Sequence, residues 1–264
     1  MSGESAVKPS RTGQAVALTR ARFERPHSAD GDPEAQRRLC EGMDPADIGG
    51  RVASLAARTR FFDDQVLAAI SAGTRQVVIL GAGYDDRALR FRTAGVRFFE
   101  LDHPATQADK AQRLRMMNAT HGPLLVPADF SRDDAGGILA AHGHDADQPS
   151  LFTCEGLLVY LDQQACVRLL AALRAQAAAG STLAASLAIH PDGLDTAGVL
   201  QVANSRRRAA GAEPWLTILP AAAHLGLLTS GGWQAAGQTD VAELGTGAEP
   251  GRSLLVTAHP AGTA

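Results

Sequence analysis

Several features are scarce in this sequence of 264 residues, and each scarcity excludes a class of binding partner or site. The three cysteines are widely spaced and form no CxxC pair, which argues against a disulfide scaffold or a metal site and fits a reducing cytoplasm. No apolar run approaches the roughly 18 residues of a membrane span, so no membrane partner is expected. The net charge of −3 offers no basic surface for nucleic acid. A small molecule is therefore the expected partner, and a homodimer stays open.

The N-terminus also lacks something, namely the apolar core of a secretion signal. Residues 1–14 are polar and predict a disordered tail. The remaining length and the 45% hydrophobic content fit one domain over residues 15–264. Within it, residues 15–55 predict an N-terminal helical cap and residues 191–215 a helical insertion. Both additions are expected to act as lids over one edge of a sheet.

Apolar runs and helical repeats alternate along the middle of the chain, after a long helix predicted over 52–70. This alternation predicts an α/β fold, a Rossmann-like, doubly wound parallel sheet. The five strands predicted in this region are Gln76–Leu80, Val96–Leu101, Leu124–Val126, Ser150–Cys154 and Thr182–Ile189. Two later strands, Gln234–Thr239 and Ser253–Ala258, are joined by a glycine-rich link with no room for a helix, so they must be antiparallel. A seven-stranded, mostly parallel sheet with an antiparallel last strand is expected.

The stretch QVVILGAGYDDRALR, residues 76–90, is the most informative segment. A buried strand runs into a turn at Gly81 and Gly83, and a helix follows. Glycine lets the backbone turn sharply and approach a ligand, and the free N–H groups of the next helix face that ligand. A second strand ends at Asp102, where a carboxylate can accept both hydroxyl hydrogens of a ribose. The segment therefore predicts a cofactor that contains a nucleoside.

Asp86 decides between two such cofactors. A nicotinamide fingerprint, GxGxxG or GxGxxA, needs a third small residue for close packing of helix on strand, and here that position is Asp86. The antiparallel last strands also suit the methyltransferase variant of the fold. S-adenosyl-L-methionine is therefore favoured over a nicotinamide. The alternative without a ligand is that GAG is only a turn and Asp102 only a helix N-cap.

Four motifs in register carry a resemblance to a known family. LGAGYDDRALRF, FELDHP with Lys110, PADF and CEGLLVYL resemble the leucine carboxyl methyltransferase family of S-adenosylmethionine enzymes, whose bacterial members include carboxyl O-methyltransferases of polyketide biosynthesis. The resemblance extends from about Ala57 to about Tyr160. It implies a class I methyltransferase fold. One departure is Asp86, because the family usually has Asp-Thr-Arg after the turn.

The resemblance implies roles for individual residues in cofactor binding. Arg58, with Arg60 as a rival, would pair with the methionine carboxylate, and Glu155 would meet the ammonium group. Asp102 would take the ribose, with Glu100 on the same face of the strand. Asp129 would accept from the adenine amino group, and Phe130 would pack beside the ring. The complete set implied to contact the cofactor is Arg58, Gly81, Gly83, Asp85, Glu100, Asp102, Asp129, Phe130 and Glu155.

The methyl acceptor decides which catalytic groups are needed. A carboxylic acid with a pKa of about 4 is ionised at neutral pH and needs only a cationic clamp, whereas a phenol with a pKa of about 10 needs a base. His103 and His190 both follow predicted strands and are candidate bases, and Arg206, in the Arg206-Arg207-Arg208 run, is the candidate clamp. We expect an O-methyltransferase that methylates a carboxylate of a natural-product intermediate. The alternatives are a phenolic O-methyltransferase, a nicotinamide oxidoreductase and a non-catalytic cofactor-binding partner.

Overall fold

A twisted sheet with helices on both faces forms the centre of the protein. The computed structural model describes residues 9–44, 52–119, 121–209, 211–240 and 252–262. Within these residues the sheet has seven strands, which in spatial order are β3 (Leu124–Pro127), β2 (Arg97–Asp102), β1 (Gln76–Leu80), β4 (Ser150–Cys154), β5 (Thr182–Ile189), β7 (Arg252–Pro260) and β6 (Trp233–Asp240). β1 to β5 pair in parallel, whereas β7 runs antiparallel to both β5 and β6. The predicted fold class, with its antiparallel last strand, is confirmed.

The strands and helices follow the predicted alternation. The helices are α1 (Arg11–Arg20), α2 (Ala35–Leu39), α3 (Val52–Ser71), α4 (Arg87–Arg90), α5 (Pro104–Met116), α6 (Ala135–Ala141), α7 (Gln163–Ala175), α8 (Thr196–Ala209) and α9 (Ala221–Ser230). A single 3-10 turn, Leu158–Tyr160, follows β4.

Two apolar layers sandwich the sheet, because successive side chains of a strand point to opposite faces. On one face Val77 and Ile79 of β1 pack with Phe62 and Val66 of α3. On the other face Val78 and Leu80 join a larger cluster that includes residues of α6, α7 and α9. All five residues of β1 are buried, as they are in β4. Burial on both faces explains why these two strands read as unbroken apolar runs.

The N-terminal segment differs from the prediction. The tail was expected to extend to residue 14, but α1 begins at Arg11, because the Ser10 side chain caps it by accepting from the Gly13 N–H at 3.0 Å. Residues 1–8 of the predicted tail, residues 45–51 of the predicted cap and the link at 241–251 lie outside the described residues. In the described part of the cap, α1 and α2 are helical, and α8 occupies most of the predicted insertion.

Among the described residues, no helix has the length and the apolar composition that crossing a lipid bilayer requires.

Candidate functional site

Three residues named from the sequence lie side by side at one edge of the sheet. Leu80 of β1 pairs with Leu101 of β2 on one side and with Cys154 of β4 on the other. The next residue of each strand is therefore Gly81, Asp102 or Glu155. The strand order reverses between β1 and β4, and ligands of open α/β sheets bind in the crevice at such a reversal.

The turn after β1 needs glycine for its backbone conformation. Gly81 and Gly83 have φ values of +64° and +50°, which strain any residue with a side chain. A Cβ on Gly81 would also lie 3.1 Å from the side chain of Leu157. Gly83 faces α1, since a Cβ there would meet the Gly13 Cα at 3.7 Å. The turn is thus tightly folded and covered by the first helix.

Asp102 is held by backbone donors and keeps acceptor capacity. Its Oδ2 accepts from the Gly83 N–H at 2.6 Å and its Oδ1 from the His103 N–H at 2.7 Å. Burial raises the pKa of Asp102, although these two hydrogen bonds oppose the shift. The N-cap of α5 is His103, whose Nδ1 accepts from the Ala105 N–H. The alternative that Asp102 is only an N-cap is therefore wrong.

Glu155 is surrounded by three guanidinium groups. Its carboxylate lies 2.6 Å from Arg20, 3.0 Å from Arg58 and 2.9 Å from Arg87. Burial alone would raise the pKa of Glu155, but Arg20, Arg87 and Arg58 outweigh it and hold the pKa far below its usual range. We call Glu155, these three arginines and Asp85 the Glu155 cluster. It brings an ionised carboxylate and three guanidinium groups together at one end of the crevice.

The two rival arginines of α3 lie in different surroundings, which favours Arg58. Arg58 reaches Glu155, and its guanidinium lies over the backbone of Gly156, where an added Cβ would sit 3.7 Å from Nη2. Arg60 is exposed. The prediction missed Arg20, the last residue of α1, since an arginine in a polar N-terminal segment gives no local signal for a partner on β4.

Asp85 and Glu100 do not face the open crevice. The Asp85 carboxylate is buried and binds Arg20 at 3.2 Å and Arg87 at 2.5 Å. Glu100 is fully buried and pairs with Lys110, which also donates to the Asp85 carbonyl at 2.7 Å. The pairing of Glu100 with Lys110 occupies Oε2, whereas Oε1 has no partner among the described residues, and the cofactor role of Glu100 stays a prediction. Both acids fix the cationic side chains behind the turn.

Asp86, the departure from the family pattern, is also paired. It is completely buried and binds Arg25 at 2.6 Å and Arg90 at 2.7 Å. Arg25 further binds Asp63 at 2.8 Å, and Asp63 binds Arg87 at 2.7 Å. We call Asp63, Asp86, Arg25 and Arg90 the Asp86 cluster. Arg87 joins it to the Glu155 cluster, so the N-terminal segment is tied to the turn by buried ion pairs.

Asp129 and Phe130 follow β3 at the same edge. The Ala128 N–H donates to the Asp102 carbonyl at 2.9 Å, which places Asp129 beside the end of β2. Asp129 accepts from the Ser131 hydroxyl at 2.6 Å. Burial would raise the pKa of Asp129, but Ser131 and Arg132 lower it. Phe130 is half-buried against the larger apolar cluster. The adenine roles of both residues stay predictions.

The three predicted catalytic residues lie in different surroundings. His190 is buried. Its Nδ1 contacts the Pro191 carbonyl at 2.8 Å and its Nε2 the Thr196 hydroxyl at 3.0 Å. Both ring nitrogens are thus occupied and neither is free to take a proton from a methyl acceptor. His103 caps α5 at the end of β2, next to the residues expected to hold the nucleoside. Arg206 is exposed, whereas its neighbour Arg207 turns inward. The positions of His190 and Arg206 argue against a catalytic role, whereas the role of His103 stays a prediction.

No group of three or more histidine, cysteine or acidic residues within the described ranges is arranged to hold a metal ion. The chemistry of the crevice is therefore that of glycine backbone, carboxylates and guanidinium groups.

Comparison with known proteins decides the family. The sequence profile of leucine carboxyl methyltransferases matches residues 13–174, which is more than half of the chain. The chain belongs to the leucine carboxyl methyltransferase family. The resemblance predicted from the four motifs is confirmed, and the matched range contains every predicted cofactor residue.

Relatives of this family member occur in actinobacteria. A candidate S-adenosyl-L-methionine-dependent methyltransferase of Streptomyces coelicolor is 39% identical over 194 residues, which is 70% of this chain and 64% of the relative. Another candidate, from Frankia alni, is 39% identical over 186 residues, 69% of this chain and 62% of the relative. The chain thus spans somewhat less than two thirds of these relatives.

Solved structures confirm the fold. A methyltransferase-like protein of Thermobifida fusca has a TM-score of 0.63 at 17% identity, and the match covers 97% of this chain and 96% of that protein's chain. Magnesium protoporphyrin IX methyltransferase of Synechocystis with bound S-adenosylhomocysteine has a TM-score of 0.53 at 15% identity, and the match covers 85% of this chain and 92% of that enzyme's chain. The fold is that of the class I methyltransferases, and family membership confirms S-adenosyl-L-methionine as the cofactor.

The crevice fits this cofactor chemically. The methionine part of S-adenosyl-L-methionine carries a carboxylate and an ammonium group, and the Glu155 cluster has both complementary charges. A zwitterion can exchange with the Arg58–Glu155 pair, taking the guanidinium with its carboxylate and Glu155 with its ammonium. At the other end Asp102 retains lone pairs for ribose hydroxyls.

Proposed function

We propose that this protein transfers a methyl group from S-adenosyl-L-methionine to a carboxylate oxygen of a small molecule. The observation that carries the choice of acceptor is the state of His190. Both of its ring nitrogens are used in hydrogen bonds within the loop after β5, so the candidate base on the acceptor side is unavailable. A carboxylate acceptor needs no base, because it is already ionised at neutral pH.

Different residues of the crevice would bind different parts of the cofactor. Asp102 and the turn at Gly81 and Gly83 would hold the ribose and the chain next to it, and Glu155 with Arg58 would hold the methionine end. When bound, the cofactor supplies a methyl group on a sulfonium, which is already an activated leaving group. The protein then has to align an acceptor oxygen with that methyl, and orientation alone supplies much of the rate.

The nature of the acceptor is the finer part of the proposal. The family's bacterial members that act in polyketide biosynthesis support a natural-product acid as the acceptor. Helix α8 lies beyond residues 13–174, the range that the family profile matches. The family therefore gives least guidance about the acceptor side of the crevice.

Product analysis tests the proposal. The protein is incubated with S-adenosyl-L-methionine and matched pairs of acceptors, such as an aromatic carboxylic acid and the corresponding phenol, and products are identified by mass spectrometry before and after mild base. We expect methyl esters, which mild base hydrolyses. A base-stable aryl methyl ether as the main product would contradict the carboxylate proposal and favour a phenol.

Asp102→Ala serves as the control for cofactor dependence in this assay. It should reduce product formation from every acceptor alike, because it acts on the cofactor and not on the choice of oxygen.

A further inference from the structure

The segment after α8 lies at the acceptor side of the crevice. The Leu216 and Thr217 N–H groups both donate to the carbonyl of Val159, at 2.8 and 3.2 Å. Val159 belongs to the 3-10 turn that follows Glu155, and Leu219 forms a bridge with Ile189 at the end of β5. The segment 211–219 therefore runs across the carboxyl ends of β4 and β5, next to the proposed site of the methionine group.

Arg207 of α8 points into this region and is held by neutral groups. Its Nε donates to the Glu213 carbonyl at 2.5 Å, and its Nη2 to the Tyr160 hydroxyl at 3.1 Å. The guanidinium also lies 4.5 Å from the ring centre of Trp215 and 5.5 Å from that of Tyr160. Aromatic rings and carbonyls orient a guanidinium without cancelling its charge.

The charge of Arg207 is not balanced by an acid in the described part of the chain. The inward arginines of the crevice, such as Arg20 and Arg87, each pair with carboxylates. No carboxylate of the described residues lies within 4.0 Å of Arg207. The nearest acid in sequence, Glu213, turns its carboxylate to the Ser10 hydroxyl at 3.0 Å. A fixed, half-buried guanidinium with no paired carboxylate can bind an anionic ligand through charge-assisted hydrogen bonds.

Trp215 adds a second donor. Its indole Nε1 is buried and has no hydrogen-bond acceptor among the described residues, which is uncommon for a buried donor. Its backbone is rigidly held, since the Asn204 side chain bonds both its N–H and its carbonyl at 2.8 Å. Trp215 therefore brings an unpaired N–H to the same ring against which the Arg207 guanidinium lies.

We infer that Arg207 and the Trp215 Nε1 form a subsite for a carboxylate of the methyl acceptor. The assignment to the acceptor rests on the proposed function, whereas the anion binding itself does not. An exposed apolar side chain lies next to Trp215, because Leu216 is 50% exposed. An acid with an apolar body, such as an aromatic acid, matches this combination of a cation, a donor and apolar surface.

Binding of benzoate and of its neutral analogue benzamide tests the subsite directly. Each is titrated calorimetrically into the protein saturated with S-adenosylhomocysteine. Benzoate should bind and benzamide should bind much more weakly. Arg207→Gln should weaken benzoate binding roughly tenfold or more, as expected for loss of a charged hydrogen bond. The matched control is Arg208→Gln, because Arg208 is the exposed next residue, and it should leave benzoate binding unchanged.

Trp215→Phe provides a second variant, which keeps an aromatic ring next to Arg207 and removes the N–H together with the five-membered ring of the indole. It should also weaken benzoate binding. Intrinsic fluorescence locates the ligand, because the sequence has two tryptophans and Trp233 is fully buried with its Nε1 bonded to the Leu170 carbonyl at 2.9 Å. Absence of benzoate binding, equal binding of benzamide, or equal affinity of Arg207→Gln and Arg208→Gln would overturn the subsite.

Turnover separates this inference from the proposed function. If a monocarboxylic acid becomes a methyl ester and Arg207→Gln raises its KM, the subsite holds the reacting carboxylate. If the variant affects only acids with a second carboxylate, the subsite holds that second group. Formation of an aryl ether while benzoate binding still depends on Arg207 would overturn carboxylate methylation and leave the anion subsite standing.

Discussion

Asp86 is the residue at which this chain departs most clearly from the pattern of its family, and two arginines explain how the departure is accommodated. A buried acid would be costly if it were alone. Here Arg25 and Arg90 reach its two oxygens at 2.6 and 2.7 Å. The acid and the arginines therefore form one unit, and we expect that changing one of them alone is harmful.

Replacing Asp86 with the threonine that the family pattern would place there should destabilise this protein. The change leaves Arg25 and Arg90 buried without one of their partners, and breaking a buried pair from one side costs about 3–5 kcal/mol. Urea unfolding measures the effect. Asp147→Thr, at an exposed position, is the control and should change the free energy of unfolding little. Equal stabilities of the two variants would show that the pairs contribute nothing.

The same residue gives a pH dependence with a definite sign. Burial raises the pKa of Asp86, but Arg25 and Arg90 outweigh burial and lower it from 3.8 to about 2. The unfolded chain thus takes up the proton first as the pH falls, so this contribution to stability is present above about pH 4 and is lost between pH 4 and 2. Urea midpoints across this range should fall more steeply for the native protein than for Asp86→Asn.

Asp102 is the residue on which cofactor affinity should depend most directly. Asp102→Ala removes hydrogen bonds to a charged group, each worth about 1.5–3 kcal/mol, so the affinity for S-adenosylhomocysteine should fall by an order of magnitude or more. Calorimetric titration measures it. The exposed Asp64 of α3 supplies the control, Asp64→Ala, with unchanged affinity expected. An unchanged affinity of Asp102→Ala would show the ribose assignment to be wrong.

At the scale of elements, α1 is the part that the cofactor should affect most. Its first turn is fixed at Ser10, whose N–H donates to Thr106 at 3.2 Å, and its last residue, Arg20, lies in the Glu155 cluster. Gly13 covers Gly83 of the turn. A helix that closes the crevice in this way is expected to become more rigid when a ligand fills the space beneath it.

Hydrogen exchange tests this behaviour of α1. Amides of residues 15–20 should exchange more slowly with S-adenosylhomocysteine bound, whereas amides of α7, on the opposite face of the sheet from α3, should not change. Arg20→Gln should speed exchange in α1 without ligand, because it removes the contacts to Asp85 and Glu155. Exchange in α1 that is indifferent to ligand would show that the helix is not coupled to the crevice.

Elements buried on both faces were predicted well, and long-range ion pairs were not. β1, β4 and β5 have the predicted bounds, because unbroken apolar runs have clear ends. The roles of Arg20 and Arg25 escaped prediction because their partners lie far along the chain, so local spacing contains no trace of them. His190 lies at the end of β5 as predicted, yet its availability depended on Thr196, which only tertiary structure reveals.

At the scale of the whole molecule, ligand-induced stabilisation should distinguish the cofactor classes. A ligand at 100 times its dissociation constant adds about 2.7 kcal/mol to the free energy of unfolding, which raises the melting temperature by roughly 5–10 °C in a domain of this size. S-adenosyl-L-methionine and S-adenosylhomocysteine should produce this shift, and NAD should not. Stabilisation by NAD alone would contradict the methyltransferase assignment, and stabilisation without turnover on any acid or phenol would favour a non-catalytic role.

The position of β7 has a consequence for how the protein is made. β7 (Arg252–Pro260) is inserted between β5 and β6, although both are synthesised before it. On the ribosome, the parallel half that carries the cofactor crevice can assemble first, but β5 keeps an open edge until residue 260 has left the exit tunnel. Exposed strand edges invite pairing with other chains. Because β7 is the last strand to be synthesised, its pairing with β5 is the step that closes this edge of the sheet.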